Sequence, residues 1–565
     1  MGYRGYTVSG AVSPQQRLQK LLKKGLKHQR EGHVELAEAC YRKILNVDPL
    51  SAEAKQMLRV LQGTGADQES SPPITAIFGD DTATRPESAE THQHLGEAHE
   101  QAGDLQAAAN SYQRALALKP DSPELHCHLA RALYRGGALL PAAELYRRAL
   151  VLDTKKYEIY NDLGLVLTDL GNFPAALEVF RRSLINNPRS AKTIAGLGRL
   201  FERKGDLISA AEAYRDAIKL DPNLPAAYVD LGFVLYGLGE LAEAADCFAR
   251  LRALQPDSAE ATVNLGLIHL LQGNLAAGWA EYESRWKVGV GDDRKFLQRR
   301  WKGEALGGER ILLYAEQGLG DTMQFVRYVP LVAARGGEVV LEVQPALRDL
   351  LAHTEGASRV IRRGETLPEF RWQCPLMSLP LALGTEWNTI TARVPYIVPD
   401  AVRVEAWRGL LQKNARRIGL AWAGNPAHPR DRLRSIALEQ LMPLLNVAGT
   451  TFYSLQFGSG AEQGKQLPPG VQLIDLGDEL KEFGNVAAIV ANLDLVISID
   501  SAVAHLAGAL GKPVWILLNK GCDWRWFLER EDSPWYPTAR LFRQTTSGEW
   551  QEVVKRIEIE LRQAG

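Results

Sequence analysis

Three short runs in this 565-residue chain hold residue types suited to chemistry on a charged leaving group. The first is Glu316-Gln317-Gly318-Leu319-Gly320-Asp321, which follows an apolar run at 310–315. Its two glycines allow a tight turn and close approach of a ligand to the backbone, and Asp321 opens the helix predicted over 322–334. A carboxylate in that place either caps the helix or takes a proton from an acceptor hydroxyl. The second run, 422–435, carries Asn425, His428, Arg430, Asp431, Arg432 and Arg434 after a strand predicted at 417–422. Such a run reads as a solvated charge cluster or, between a strand's carboxyl end and a helix, as a clamp on phosphate oxygens. The clamp is preferred, with Arg432 and Arg434 as cations and Asn425 and His428 as neutral donors. Gln456, just past a strand predicted at 451–455, belongs to the same expected pocket. In the third run an apolar stretch ends at Asp500, and a helix of small residues starts at once with Ser501, Ala502 and, one turn on, His505. Free amides and the positive end of the dipole make such a start an anion site. His505 is then either a pocket residue or a core histidine.

The elements around these runs follow one grammar. Apolar stretches at 310–315, 339–343, 417–422, 451–455, 471–476, 493–499 and 513–518 alternate with helical patterns at 322–334, 346–353, 438–445, 486–492 and 501–510. That alternation predicts parallel β/α sheets. A polar, proline-containing break at 398–414 divides the region into two halves, 301–400 and 401–565. Two Rossmann-like lobes facing a cleft are expected, with ligand at the carboxyl ends of the strands. The aromatic run from Asp523-Trp524-Arg525-Trp526 to Trp535-Tyr536 either stacks on a base or sugar ring or packs as a lid.

A different pattern precedes the lobes. Gly96, Ala130, Gly164, Gly198, Gly232 and Gly266 recur every 34 residues, each preceded by leucine and followed seven positions later by glycine. Further columns hold Ala108, Ala142, Ala176, Ala210 and Ala244, the aromatics Tyr112, Tyr146, Phe180, Tyr214 and Phe248, and Pro120, Pro188, Pro222 and Pro256. Small residues let two antiparallel helices approach, the aromatic fills the gap beside them, and proline ends the second helix. The pattern resembles the tetratricopeptide repeat over 89–300, with Gly278, Trp279 and Arg285 marking an atypical capping repeat. Isolated repeat-like helices are expected over 14–63, joined by a flexible Ser/Thr/Pro/Gly-rich linker at 64–88. The groove positions read His94, His128, Asp162, Gly196, Asp230 and Asn264, either solvated polar positions or a groove tuned to one partner protein. Only Asn264 keeps the asparagine ladder of peptide-binding members.

Composition narrows the function classes. With 66 Lys and Arg against 67 Asp and Glu the net charge is −1, which argues against bulk attraction to nucleic acid. Five scattered cysteines give no disulfide framework and fit a reducing compartment. On a helix His126, Cys127 and His128 point about 100° apart and do not converge on a metal. No signal peptide or membrane span is read, so a cytoplasmic location is expected.

Together the Gly-Leu-Gly-Asp turn at 318–321 and the Asp-Ser-x-x-x-His-Leu-Ala-x-x-x-Gly-x-Pro segment at 500–513 resemble the markers of two-lobed GT-B glycosyltransferases of the heptosyltransferase family. The whole design, repeats before a GT-B half, is similar to O-linked N-acetylglucosamine transferase and bacterial flagellin-modifying transferases. The fold expected is thus a multidomain α plus α/β chain, a repeat solenoid followed by a GT-B half. The resemblance implies that Asp321 is the catalytic base and that Gln317, Gly318, Gly320, Asp500, Ser501, Ala502 and His505 line a nucleotide-sugar pocket. It also implies that the Arg432/Arg434 segment meets the diphosphate, where the family has a lysine. The first lobe is short, which does not favour a lipopolysaccharide acceptor. The function expected is inverting transfer of a sugar from a nucleotide sugar to a Ser or Thr hydroxyl of an acceptor protein, flagellin or another surface protein, held by the repeats. No Asp-x-Asp pair stands at a strand end, so no metal and no cofactor beyond the donor is expected; association of copies through the repeats is a further expectation. Two alternatives stay open: an adaptor whose transferase half only binds nucleotide, and a glycan-directed enzyme.

Overall fold

The computed structural model describes residues 88–290, 294, 296–412, 415–428 and 431–563. The helices expected over 14–63, and all of the expected linker but Ser88, lie outside the described residues. The chain forms two compact units, the smaller ending at Leu152 and the larger running on from Asp153.

The smaller unit holds α1 (Ala89–Gln101), α2 (Leu105–Leu118), α3 (Pro123–Arg135) and α4 (Leu139–Leu152). The larger continues the period with α5 (Tyr157–Asp169), α6 (Phe173–Asn186), α7 (Ala191–Lys204), α8 (Leu207–Leu220), α9 (Pro225–Leu238), α10 (Leu241–Leu254), α11 (Ala259–Leu271) and the short α12 (Leu275–Tyr282). Side chains of Ser88, Asp104, Ser122, Asn172, Ser190, Asp206 and Ser258 accept from the first turns that follow them, supplying partners that a helix start lacks. The columns do what their chemistry demands. A Cβ at Gly96 would come within 2.5 Å of Tyr112, and one at Gly232 within 2.6 Å of Phe248. Absence of that atom is what lets the paired helices touch. The turn glycines all have φ between +76° and +92°, a region that disfavours other residues.

After α12 the chain tightens into a 3₁₀ turn, Glu283–Val288, and enters the first lobe. Its strands are β1 (Arg299–Arg300), β2 (Arg310–Tyr314), β3 (Glu338–Val343), β4 (Ala357–Arg362) and β5 (Trp372–Pro375), all parallel in the order β1-β5-β2-β3-β4. The helix expected over 322–334 starts earlier and breaks: α13 is Leu319–Phe325 and α14 is Val329–Ala333, with Pro330 in the first turn of the second piece. A proline has no amide to continue the ladder of the helix before it. The expected helix at 346–353 reduces to a turn at Pro345–Leu347. Helix α15 (Leu379–Ala382) ends the lobe and α16 (Ala401–Leu410) opens the next.

The second lobe has β6 (Arg416–Ala421), β7 (Thr450–Ser454), β8 (Ile474–Asp475), β9 (Leu495–Ile499), β10 (Val514–Leu518) and β11 (Ala539–Arg543), again all parallel. Its helices are α17 (Asp431–Arg434), α18 (Leu438–Leu445), α19 (Phe483–Asn492), α20 (Ala502–Ala509) and α21 (Gln551–Gln563). The order β8-β7-β6-β9-β10-β11 is a doubly wound sheet whose direction of winding reverses between β6 and β9. In the first lobe it reverses between β2 and β5. Ligands of such sheets bind where two loops part at a reversal, and here those loops begin at Ala315, Leu376, Trp422 and Asp500.

The end of the array is built into the lobes. Tyr236 Oη donates to the Cys522 carbonyl at 2.8 Å, Trp387 Nε1 to the Gly273 carbonyl at 2.8 Å, and the Trp279 and Trp524 rings meet at 5.1 Å.

Candidate active site

A cavity of about 770 Å³ opens between the carboxyl ends of the two sheets. It gathers most of the residues singled out in the sequence: Gln317, Gly318, Gly320 and Asp321 from the first lobe, and Asn425, His428, Arg434, Gln456, Asp500, Ser501, Ala502 and His505 from the second. Glu316, Asp523 and Arg525 complete its charged wall.

Asp321 sits in the first turn of α13, not ahead of it. One carboxylate oxygen accepts from the Gly318 amide at 2.8 Å and the other from the Arg525 guanidinium. Burial pushes its carboxyl up from the ordinary range while Arg525 opposes the rise. Asp321 thus caps its own loop while facing the cavity. The two glycines differ from expectation. Gly318 has an ordinary extended conformation, with φ −70°. Gly320 lies within α13, where a Cβ would come within 2.7 Å of His505, so its smallness serves the packing of α13 on α20 across the lobes.

Arg525 comes from the loop after β10. Its Nη1 donates to Asp523 at 2.7 Å, and its Nε donates to Gln324 at 2.5 Å. Asp523 lies below the usual carboxylate range: burial works against that, and Arg525 outweighs it. Burial, reinforced by Asp523, instead pushes Asp500 up to about 6. Sequence reasoning left Asp523 and Arg525 in an aromatic run that either stacks on a ring or packs as a lid, and gave Glu316 no role. Their position a few residues past the ends of β10 and β2 was the available signal.

Arg434 and Arg432 part company. Arg434 faces the cavity, donates to the Asp500 carbonyl at 3.2 Å and pairs with Asp431 at 3.2 Å. Arg432 turns away: it donates to the carbonyls of Glu202 (2.5 Å) and Arg203 (3.1 Å) at the end of α7. Those carbonyls lie in the last turn of a helix, where Glu202 also accepts from the Gly205 amide, so Arg432 is held at a helix end and is absent from the cavity lining, where a phosphate role was expected. Arg430 lies outside the described residues. Asp431, named in the run but given no role there, ties the loop together by accepting from Ser435, whose hydroxyl accepts from the Gly424 amide at 2.9 Å. Gln456 is a clamp of the same kind: its amide oxygen accepts from the Trp422 and Ala423 amides, and its nitrogen donates to the Ala423 and Phe457 carbonyls. It shapes the wall with all of its polar atoms engaged.

At the head of α20 the Ser501 hydroxyl accepts from the Val503 amide at 3.2 Å and meets Ser498 at 2.9 Å. His505 is 7% exposed at its side chain, bonds to Tyr536 Oη at 2.9 Å and stacks on Trp526 at 5.4 Å. Burial, then Arg525, push it down to about 3, leaving a neutral ring. Trp524, Trp526, Trp535 and Tyr536 are fully buried, so the aromatic run packs rather than stacks on a ligand.

The expected groove residues differ in their local settings. His94 is exposed, while His128 stacks on Tyr112 at 5.2 Å. Asp162 accepts from Asn161 at 3.2 Å, Asp230 is half-buried, and Gly196 is buried beside Phe180. Asn264 is 2% exposed and donates to the Glu260 carbonyl. Helix α11 also packs on the turn Trp524–Trp526. Among the described residues no group of three or more His, Cys, Asp or Glu side chains is placed to hold a metal, and no helix is long and apolar enough to cross a membrane.

Comparison with known proteins agrees with this layout. Residues 96–137 match a TPR repeat model, and 161–225 and 229–288 match a second tetratricopeptide repeat model. Residues 460–518, which include β9, α20 and β10, match the model of glycosyltransferase family 9 (heptosyltransferase). The chain is 30% identical over 329 residues to Protein FlbA of Caulobacter vibrioides, covering 52% of this chain and 53% of that protein. It thus spans about half the length of the curated relative it matches. Among solved structures, a thermophilic TPR protein of Thermus thermophilus aligns over 32% of this chain and all of its own, at 23% identity and a TM-score of 0.31. MamA aligns over 30% of this chain and 94% of its own, at 25% identity and a TM-score of 0.25. The chain therefore joins tetratricopeptide repeats to a two-lobed α/β half that carries a glycosyltransferase family 9 segment.

Proposed function

We propose that the chain is a glycosyltransferase that moves a sugar from a nucleotide sugar to a Ser or Thr hydroxyl of a protein held by the repeats. One observation carries this reading: Asp321, Arg434, the head of α20 and His505 line a single cavity at the winding reversals of both sheets. The family 9 match over the α20 segment supports it.

In this mechanism Asp321 takes the proton of the acceptor hydroxyl. The oxygen attacks the anomeric carbon from the side opposite the diphosphate, the bond from that carbon to the diphosphate breaks, and the sugar inverts. Arg525 and the Gly318 amide oppose the upward push of burial on the Asp321 carboxyl and aim its remaining lone pairs. Charge gathering on the departing diphosphate is met by Arg434 and the first amides of α20. His505, neutral and held by Tyr536, supplies a hydrogen-bonding nitrogen without adding charge. The proposal includes no metal and no further cofactor. It places acceptor recognition on exposed faces of the repeat helices, which raises the local concentration of the acceptor.

Purified protein incubated with a panel of uridine, adenosine, guanosine and cytidine sugars, with and without a chelator, tests the reading. Release of nucleoside diphosphate that survives the chelator and falls at least a hundredfold in Asp321→Asn is the expected result. Donor binding with no turnover, equal in Asp321→Asn and the parent, would leave only an adaptor.

A further inference from the structure

The last repeat departs from its consensus, and the departures point into the active site. Arg285, on the 3₁₀ turn after α12, is fully buried. Its Nη2 donates to Glu316 Oε1 at 3.1 Å and to Ser378 Oγ at 2.6 Å, and its Nη1 donates to Glu283 at 2.5 Å. Arg300 closes the network on Glu283 and Ser378, at 2.6 Å each. The Met377 amide also donates to Glu316. One residue further on, Gln317 Nε2 donates to Tyr282 Oη, the last residue of α12, at 2.9 Å, while Gln344 holds the Gln317 carbonyl at 2.7 Å. Glu316 and Gln317 both line the cavity and lead directly into Gly318, whose amide holds Asp321.

A tether needs no such contacts. A linker or an apolar seam would keep the repeats in place, whereas Arg285, backed by Glu283 and Arg300, and the Tyr282 hydroxyl converge here on the two residues that lead into the catalytic loop. Buried charges are costly unless paired, and the pairing of Arg285 with Glu316, Glu283 and Ser378 sets a specific geometry. We propose that Tyr282 and Arg285 of the capping repeat are positioning residues for the loop that carries Asp321, so that the array completes the active site as well as recruiting the acceptor. This rests on the transferase reading for its kinetic test and stands on the loop itself for its structural one.

Tyr282→Phe keeps the buried ring and removes one hydroxyl. The expected result is about a tenfold fall in kcat with donor KM within about twofold, at an unchanged thermal midpoint. Backbone amides at 318–320 should exchange with deuterium faster, and Tyr282→Phe/Gln317→Leu should be no slower than the worse single variant. Arg285→Lys, which keeps the charge but not the fork, should show the same exchange effect. Unchanged kcat and exchange in a folded Tyr282→Phe protein overturn the proposal, as does a loss of kcat that only follows a loss of folded protein. Should no nucleotide sugar turn over even in the parent, the transferase reading fails, and the exchange at 318–320 still decides whether the repeat positions the loop.

Discussion

The Arg525 guanidinium, from the loop after β10 of the second lobe, is bonded to the Asp321 carboxylate at the start of α13 in the first. Asp523 takes a second nitrogen of the same group, so one cation serves two buried carboxylates across the cleft. Removing it strands both. Arg525→Ala is expected to lose about 3–5 kcal/mol of stability, the usual cost of breaking one side of a buried pair. Adding Asp321→Asn should recover part of that loss. Urea unfolding of the single and double variants measures the coupling, and strictly additive losses would mean that the pair is not energetically joined.

Gly320→Ala tests the closeness of the lobes. The added methyl would press on His505 Cδ2, 2.7 Å away, and on a ring already fixed by Tyr536 and Trp526. An overpacked core contact of this kind costs about 1–3 kcal/mol. Thermal unfolding of Gly320→Ala, and of Gly320→Ala/His505→Ala in which the space returns, should show the loss and then its partial relief.

The two arginines of the 431–434 segment should separate in kinetics. Arg434→Ala is expected to lower kcat about a hundredfold, because in the proposed mechanism the departing diphosphate would lose its cation. Arg432→Ala should leave kcat and donor KM within about twofold and cost about 1 kcal/mol or less, since it removes two exposed hydrogen bonds to carbonyls at the end of α7. Equal losses of activity in both variants would return Arg432 to the pocket.

His505 makes stability depend on acidity. Its folded pKa, about 3, lies below the unfolded value of about 6.5. The unfolded chain therefore binds a proton that the native one refuses, and stability present above the unfolded value is lost as pH falls toward the folded one. From pH 7 to pH 5 this accounts for about 2 kcal/mol. His505→Gln should show a smaller loss over the same interval in urea midpoints; an identical loss would mean that the native ring is charged.

Much of this was legible beforehand because it is local. The array follows from columns of small and aromatic residues, since a helix pair closes only where Cβ atoms are absent, as at Gly96 under Tyr112. The alternation of strands and helices followed from apolar periodicity, and errors came where prolines or polar residues blurred it: the break at Pro330, the missed β5 with Gln373 and Pro375, the two-residue β8. Three motifs were located by their place at strand ends, and the cavity joins all three.

What the residues determined alone was the set of parts: a repeat array, two parallel sheets, and carboxylates, arginines and a helix start at the ends of strands. The tertiary structure decided which charges meet. Arg434 and Arg432 are two positions apart in sequence, yet one faces the cavity and the other a helix end some 230 residues earlier. Arg525 finds Asp321 from 204 residues away, and Arg285 reaches Glu316 from another architecture. Long-range pairing of this kind leaves no periodic trace, because a guanidinium's partner is chosen by packing and desolvation once the backbone has brought the elements together.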